Sequence, residues 1–128
     1  MGETQWNSYL SKICRCEPEA IEPELKPYVY AFIRKDLPMA VQIVQTAHAC
    51  QESGARFGCP DHCHMVLIGV KNERELEKAA MHLEINDIDY HMFYESDPVD
   101  QPLGNTAICT APICGDKRSC LRRWQLYR

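Results

Sequence analysis

The stretch RKDLPMAVQIVQTAHA, residues 34–49, connects the end of a strand to the start of a helix and decides how the chain is interpreted. It follows YVYAFIR, residues 28–34, which is rich in aromatic and β-branched residues and almost uninterrupted in apolar character. Such a run is typical of a central strand buried on both faces. Asp36 and Pro38 then form a helix entrance, with a carboxylate able to cap and a proline near the first turn.

The two sides of the helix that follows differ in polarity. We expect this helix to run to about Ser53 and to stop at Gly54. At 100° per residue, its apolar side carries Ala40, Ile43, Val44, Ala47 and Cys50, and its other side carries Gln42, Gln45, His48 and Glu52. The polar side either faces water or lines a site, and the sequence leaves both interpretations open.

Strands and helices alternate along the rest of the chain. The predicted elements are a strand at 65–70, a helix at 72–86 capped by Asn72, strands at 89–95 and 106–113, a turn or short helix at 114–120 and a closing strand at 121–127. In the second helix, Leu76, Ala79, Ala80 and Leu83 pack inward. The third-to-fourth connection holds no helix and suits an antiparallel pair. The sequence therefore predicts one layered α/β domain with a mixed four- to five-stranded sheet and helices on both faces.

The chain is expected to have two regions, an N-terminal extension at 1–27 and the α/β domain at 28–128. In the extension, EPEAIEPELKP has the composition of an extended, solvated linker. Before it, Trp6, Tyr9, Leu10 and Ile13 lie at helical spacing. Short isolated helices are marginal in water, so we expect this amphipathic segment to dock on the domain.

Charge and hydropathy limit the class of protein. The formal net charge is −4, whereas proteins that bind nucleic acid usually need a positive surface. Basic residues are nevertheless concentrated in the tail, at Lys117, Arg118, Arg122, Arg123 and Arg128. No apolar run approaches the roughly 18 residues that cross a bilayer, and no secretory signal is recognisable. We therefore expect a cytoplasmic protein without a membrane partner.

Eight cysteines are many for such a chain, and reduced thiols are the favoured interpretation because no signal peptide is present. A zinc site is a weaker alternative. Its candidate ligands are Cys59, His62, Cys63 and His64, with Cys14 and Cys16 to complete the shell. Their spacing departs from the paired ligands of structural zinc sites. We therefore predict neither a metal nor another cofactor.

Several residues of the opening stretch carry a resemblance to a known family. Arg34, Asp36, Leu37 and Met39, followed by Gln45, His48 and Ala49, resemble the strand-to-helix motif of the type II peptidyl-tRNA hydrolases. The resemblance spans about residues 28–128 and includes the second strand, the second helix and the return strand. It implies hydrolysis of the ester between a peptidyl or aminoacyl group and tRNA, a role in translation, and tRNA or peptidyl-tRNA as partner. Dimers are common in this family, and an apolar helix face would allow a homodimer.

The sequence departs from the family's pattern at two functional positions. The family's lysine at the helix start has no counterpart, since the nearest positions are Val41 and Gln42. At the family's aspartate position Glu95 fits best and Asp97 fits next, and no threonine follows until Thr106.

Ester hydrolysis requires an activated water, a stabilised oxyanion and a grip on phosphate. The predicted catalytic residues are His48, Glu95, Asp36 and Asp97. The predicted substrate-binding residues are Arg34, Lys35, Gln42, Gln45 and Thr106. Because ligand sites of α/β folds lie at the carboxyl ends of strands, Asp36, Gln42 and Glu95 are expected in one neighbourhood if the first and third strands are parallel.

A non-catalytic function is the alternative. The missing lysine and the acidic net charge favour a catalytically inactive member of the fold that binds a partner or a nucleotide. In that interpretation Asp36 caps the helix, the glutamines form a solvated face and Glu95 is an exposed strand end. The presence of Arg34, Gln45 and His48 favours the hydrolase.

Overall fold

The computed structural model describes residues 26–128. Four strands are present in this part of the chain: β1 (Tyr28–Arg34), β2 (His64–Val70), β3 (Tyr90–Glu95) and β4 (Gly104–Thr110). The helices are α1 (Met39–Phe57), α2 (Glu73–Ile85) and a 3-10 helix (Gly115–Leu121). The amphipathic segment and most of the linker predicted in the N-terminal extension lie outside the described residues.

The four strands form one mixed sheet in the order β2-β1-β4-β3. Strand β1 is parallel to β2 and antiparallel to β4, and β3 is also antiparallel to β4. Consequently β1, β2 and β3 run in one direction, and their carboxyl ends share one edge with the start of β4. We call this the carboxyl edge. The prediction of a mixed sheet with an antiparallel third and fourth strand is confirmed.

Helices cover both faces of the sheet, as predicted. Successive residues of a strand point to opposite faces. Phe32 belongs to a core cluster with Leu76 and Leu83 of α2, whereas Ile33 belongs to a second cluster with Ala49 of α1. Strand β1 is central and contributes to both cores. The inward packing predicted for the second helix is confirmed, since its four apolar residues are buried. Asn72 caps this helix by accepting a hydrogen bond from the Glu75 N–H at 3.0 Å.

Helix α1 is longer than the sequence predicts. It continues through Gly54 to Phe57, and the terminating residue is Gly58, whose φ is 90° and whose N–H donates to the Gly54 carbonyl at 2.8 Å. A glycine inside a helix weakens it by only about 1 kcal/mol relative to alanine, so Gly54 does not force a stop. The helix ends four residues later at Gly58, whose positive φ is one that glycine adopts without strain.

The predicted closing strand at 121–127 is wrong. Residues 115–121 form the 3-10 helix, and the following chain contributes a single bridge between Leu126 and Ile68. Trp124 is the physical reason, because its ring packs edge-on against Phe32 at 5.6 Å and joins the core cluster under α2. The chain therefore buries Trp124 first and meets the edge of β2 only at Leu126 and Tyr127, whose N–H donates to the Leu67 carbonyl at 2.9 Å.

Strand β4 is also shifted towards the N-terminus relative to its predicted span of 106–113. It begins at Gly104 and ends at Thr110. Pro112 has no N–H to donate to a ladder, so regular pairing stops before it, and Ile113 forms an isolated bridge with Tyr28. In residues 26–128, no helix has the length and apolar character that crossing a membrane requires.

Candidate active site

Helix α1 packs against the sheet through its polar side. Gln42 is 7% exposed and Gln45 is 3% exposed, whereas Ile43 and Val44 on the apolar side are 64% and 51% exposed. The interpretation of the glutamines as a solvated face is therefore wrong. Burying an amide is unfavourable unless it is hydrogen-bonded, so the partners of these two side chains define the interior of the site.

Gln45 connects three elements through both ends of its amide. Its Nε2 donates to Glu95 Oε1 at the end of β3, at 3.0 Å. Its Oε1 accepts from the Thr106 hydroxyl of β4 at 2.6 Å. Thr106 is fully buried, and Glu95 is half-buried. The glutamine thus fixes one oxygen of the Glu95 carboxylate while the rest of that carboxylate remains near the surface.

A β-bulge brings Thr106 to this position. Phe93 of β3 pairs with Ala107, but the next residue, Tyr94, pairs with Asn105, so Thr106 has no residue opposite it. Regular alternation would place Thr106 on the same face as Ile108, which packs under α2. A bulge re-aims a side chain in this way, and here it directs the hydroxyl towards α1.

Arg34 and Asp36 form a bidentate pair at the end of β1. Arg34 Nε and Nη2 donate to the two Asp36 oxygens at 3.0 and 2.9 Å, and Nη1 donates to the carbonyls of Leu103 and Asn105 at 2.7 and 3.1 Å. The hydrogen bond from Arg34 lowers the pKa of Asp36, and the same bond raises the pKa of Arg34. Asp36 is not the helix cap, because the N-cap is Pro38 and no side chain caps α1 there.

Gln42 holds the turn between β1 and α1. Its Nε2 donates to the Leu37 carbonyl at 2.7 Å and lies 3.4 Å from the Lys35 carbonyl. Its Oε1 accepts from the Tyr127 hydroxyl at 2.7 Å. Tyr127 is not among the predicted site residues, because its segment has the pattern of a strand. The contact attaches the C-terminal segment to the candidate site.

His48 lies next to the strand that carries Glu95, but it forms no hydrogen bond with that carboxylate. Its ring stacks on Phe93 with centroids 4.8 Å apart and an interplanar angle of 4°. Within residues 26–128 no hydrogen bond joins His48 to Glu95 or Asp97, so His48 is not paired with either of these predicted catalytic carboxylates. The Asp97 backbone N–H lies 3.5 Å from Glu95 Oε2, and the Asp97 side chain is exposed.

Lys35 lies on the opposite side of β1 from Glu95. Its ammonium is 5.4 Å from the centroid of the Tyr127 ring. With Lys71 and Arg128 it lines a cleft of about 420 Å³ beside β2. Gly69 makes room for this lysine, since a Cβ there would be 2.6 Å from the Lys35 Cδ. Asp36 also lines this cleft, so the β2 side of the carboxyl edge has three cations and one carboxylate around it, whereas Glu95 and Asp97 lie at the β3 side.

Two further residues at the edge were not predicted from the sequence. Glu73, in the first turn of α2, accepts the Asn105 N–H at 2.7 Å. Gly104 lies directly over this carboxylate with a φ of 83°. The only sequence signal was a glycine within a proline-containing loop, which marks a turn without identifying its partner.

The zinc alternative gains no geometric support. Among residues 26–128, no three histidine, cysteine, aspartate or glutamate side chains converge as a metal site. The CPDHCH segment therefore does not form a ligand shell with its described neighbours, and Cys14 and Cys16 lie outside the described residues.

Comparison with known proteins adds information on the fold. No family model matches the chain, and no curated protein does so either. Among solved structures, a protein of unknown function from Agrobacterium tumefaciens strain C58, Atu0240, is similar with a TM-score of 0.59 and 13% sequence identity. The similarity covers 80% of this chain and 98% of that chain. At this level of identity the likeness concerns the fold alone.

Proposed function

We propose that this protein hydrolyses the ester between an aminoacyl or peptidyl group and tRNA. The observation that carries the proposal is the hydrogen bond by which Gln45, a residue of the family-like motif, holds the carboxylate of Glu95. Two other motif residues, Arg34 and Asp36, lie at the same edge of the sheet. Arg34 also binds the start of β4, where its Nη1 donates to the carbonyl of Asn105, the neighbour of the Thr106 that donates to Gln45.

Glu95 is the general base in this proposal. It takes a proton from water, the water oxygen bonds to the ester carbonyl carbon, and the bond from that carbon to the ribose oxygen breaks. The proton then passes from Glu95 to the departing ribose oxygen. Gln45 supports this role because it orients the carboxylate through Oε1, and in the proposal Oε2, which lies 3.5 Å from the Asp97 N–H, takes the proton from water. His48 is a hydrogen-bonding group for the substrate, positioned by its stacking on Phe93.

The basic cleft beside β2 supplies the grip on phosphate. Lys35, Lys71 and Arg128 place three cations around one concavity at the same edge of the sheet as Glu95. A local cluster of this kind reconciles RNA binding with a net charge of −4, because phosphate contacts depend on local potential.

A non-catalytic binding module is the second candidate, and one observation favours it. The donors of Arg34 are directed to Asp36 and to two backbone carbonyls, and the amide of Gln42 is directed to the Leu37 carbonyl and Tyr127. Two motif residues, Arg34 and Asp36, and the predicted substrate-binding residue Gln42 thus have structural partners that would persist without catalysis.

Hydrolysis of purified N-acetyl-aminoacyl-tRNA distinguishes the two candidates. The wild-type protein should release the acyl group at low and moderate salt, and the His48→Ala and Glu95→Ala variants should release it more slowly. Circular dichroism of each variant establishes that it is folded. Release no faster than in the absence of protein, from a folded wild type, would leave only the binding module.

A further inference from the structure

The outward side of α1 and the adjacent face of β2 form an apolar groove. We define it by Met39, Ile43, Ala47 and Cys50 of α1 and by Met65 and Leu67 of β2. Ile33 and Tyr127 contribute to its floor, and its volume is about 360 Å³. It arises because α1 lies over β4, β3 and β1 and leaves the same face of the edge strand β2 uncovered.

The groove exposes unusually large apolar side chains. Met39, Ile43 and Met65 are 60%, 64% and 55% exposed. Contiguous apolar surface of this kind marks a binding surface, whereas isolated exposed hydrophobic residues are ordinary. The α1 residues recur every four positions from Met39 to Ala47, so they present a straight stripe about 12 Å long to a partner.

The N-terminal extension contains a segment that matches this stripe. Trp6, Tyr9, Leu10 and Ile13 are spaced at i, i+3, i+4 and i+7, which puts them on one side of a helix about 12 Å long. We propose that the segment 6–13 of this chain packs as an amphipathic helix in the apolar groove. This proposal is independent of the hydrolase function.

The point at which the extension joins the domain favours this intramolecular partner. Pro27 lies at the start of β2, where its carbonyl accepts the His64 N–H at 3.0 Å, and Met65 of the groove is the next residue. Residues 14–26 span at most about 47 Å when fully extended, so the connection is long enough to return along the groove. Tethering at this point gives the segment a high effective concentration at the groove.

Cys50 is a built-in reporter of whether the groove is covered. It lines the groove and is partly exposed. A hydrogen bond with Cys109 lowers the pKa of the Cys50 thiol, which favours its alkylation. The full-length protein is treated with iodoacetamide, and the rate at each cysteine is measured by peptide mass spectrometry. Cys59, which is exposed outside the groove, is the internal reference.

The test compares Trp6→Asp with Ser8→Asp. Both add one negative charge, but Ser8 falls on the polar side of the segment. Trp6→Asp should accelerate alkylation of Cys50 by about tenfold or more, because losing one large buried apolar contact changes the closing equilibrium by at least that factor. Ser8→Asp should leave the rate unchanged, and Cys59 should react alike in all three proteins.

Equal Cys50 rates in the wild type and Trp6→Asp would overturn the proposal. Protection that is lost on dilution of the wild type and does not respond to Trp6→Asp would also overturn it, since a second copy would then cover the groove. Ile43→Asp changes the groove itself and should accelerate alkylation as Trp6→Asp does. Circular dichroism confirms that each variant remains folded.

Discussion

At the scale of single residues, Gly104 is central to the carboxyl edge. Its φ of 83° lies in the region that L side chains rarely adopt, and a Cβ would collide with the Glu73 carboxylate. That carboxylate accepts the N–H of the next residue, Asn105, at 2.7 Å. The start of β4 is therefore attached to α2 only if position 104 has no side chain.

Gly104→Ala should lower the free energy of unfolding by about 1–3 kcal/mol, because it combines a left-handed backbone with this steric conflict. Gly54→Ala is the matched control. Gly54 is helical, and a Cβ there would meet only the Cys59 Cβ at 4.0 Å. It should raise stability by about 0.5–1 kcal/mol. Urea unfolding measures both, and equal effects of the two substitutions would contradict the geometry.

Asp36 gives stability a specific dependence on pH. Its pKa in the folded protein is lowered by the hydrogen bond from Arg34, relative to an ordinary value of 3.8. The resulting stabilisation is complete above the unfolded-state pKa and is lost as pH falls through the lower folded-state pKa. The wild type should therefore lose its stability advantage over Asp36→Asn as the pH falls below about 4.

Urea unfolding of both proteins from about pH 6 to about pH 3 tests this dependence. A difference in unfolding free energy that stays constant over the whole range would contradict the linkage.

At the scale of elements, the bulge in β4 and the polar side of α1 depend on each other. The bulge turns Thr106 towards α1, and Gln45 needs that hydroxyl because its amide oxygen is buried. Without the bulge, Gln45 Oε1 would lose the Thr106 hydroxyl as its donor. The Gln45 amide would then no longer be fixed in the orientation that lets Nε2 donate to Glu95. A local irregularity in one strand thus positions the candidate base on the neighbouring strand.

Thr106→Val should destabilise the protein by about 1–3 kcal/mol, because it keeps the shape and leaves the Gln45 oxygen buried without a donor. Thr46→Val is the control, since the Thr46 hydroxyl donates at 2.8 Å to the Gln42 carbonyl within α1. Its effect should stay within about 0.5 kcal/mol. In the Gln45→Leu background, Thr106→Val should be less destabilising. If the changes in unfolding free energy caused by Thr106→Val and Gln45→Leu simply add in the double variant, the two side chains are not coupled and the account is refuted.

The existence and order of most elements follow from local pattern. Strand β1 is recognisable because a central strand is apolar on both faces, and α2 because its apolar residues and its Asn72 cap agree. The shared edge of the carboxyl ends of β1 and β3 was also predictable, since it needs only that these two strands run in the same direction. Each of these inferences needs only the residue pattern of a single strand or helix, or the direction in which a strand runs.

Other properties depend on contacts between distant segments. Periodicity divides α1 into two sides, but it does not say that Gln45 faces the sheet, because that depends on Thr106 and Glu95. The bulge has no local signal. The closing segment alternates like a strand, yet Trp124 is drawn into the core under α2 and diverts the chain. These departures coincide with the candidate site and its surroundings.

At the scale of the whole molecule, charge is separated along the carboxyl edge. Lys35, Lys71 and Arg128 surround the cleft beside β2, whereas Glu95 and Asp97 lie at the end of β3 on the far side of the sheet. An extended ligand with phosphate at one end and an ester at the other would match this distribution. The separation also keeps the cations away from the proposed general base.

Lys71→Gln should weaken tRNA binding and reduce the slope of log affinity against log salt by about 1, because one phosphate contact is removed. Lys78→Gln removes the same charge from α2, where the lysine is paired with Glu75 at 3.2 Å. This control should leave the slope unchanged. Titration of labelled tRNA at several salt concentrations gives both slopes, and indistinguishable slopes would exclude the cleft as the phosphate site.

The most direct test of the central claim is the single-turnover hydrolysis of N-acetyl-aminoacyl-tRNA by Glu95→Gln beside Glu52→Gln. Both substitutions replace a carboxylate on the α1 side of the sheet by an amide of the same shape, and Glu52 is bonded to His91 at 2.8 Å. Glu95→Gln should slow acyl release by about 100-fold or more, as expected for loss of a general base, and Glu52→Gln should retain the wild-type rate. Acyl release by Glu95→Gln at the wild-type rate would contradict the assignment of Glu95 as the general base.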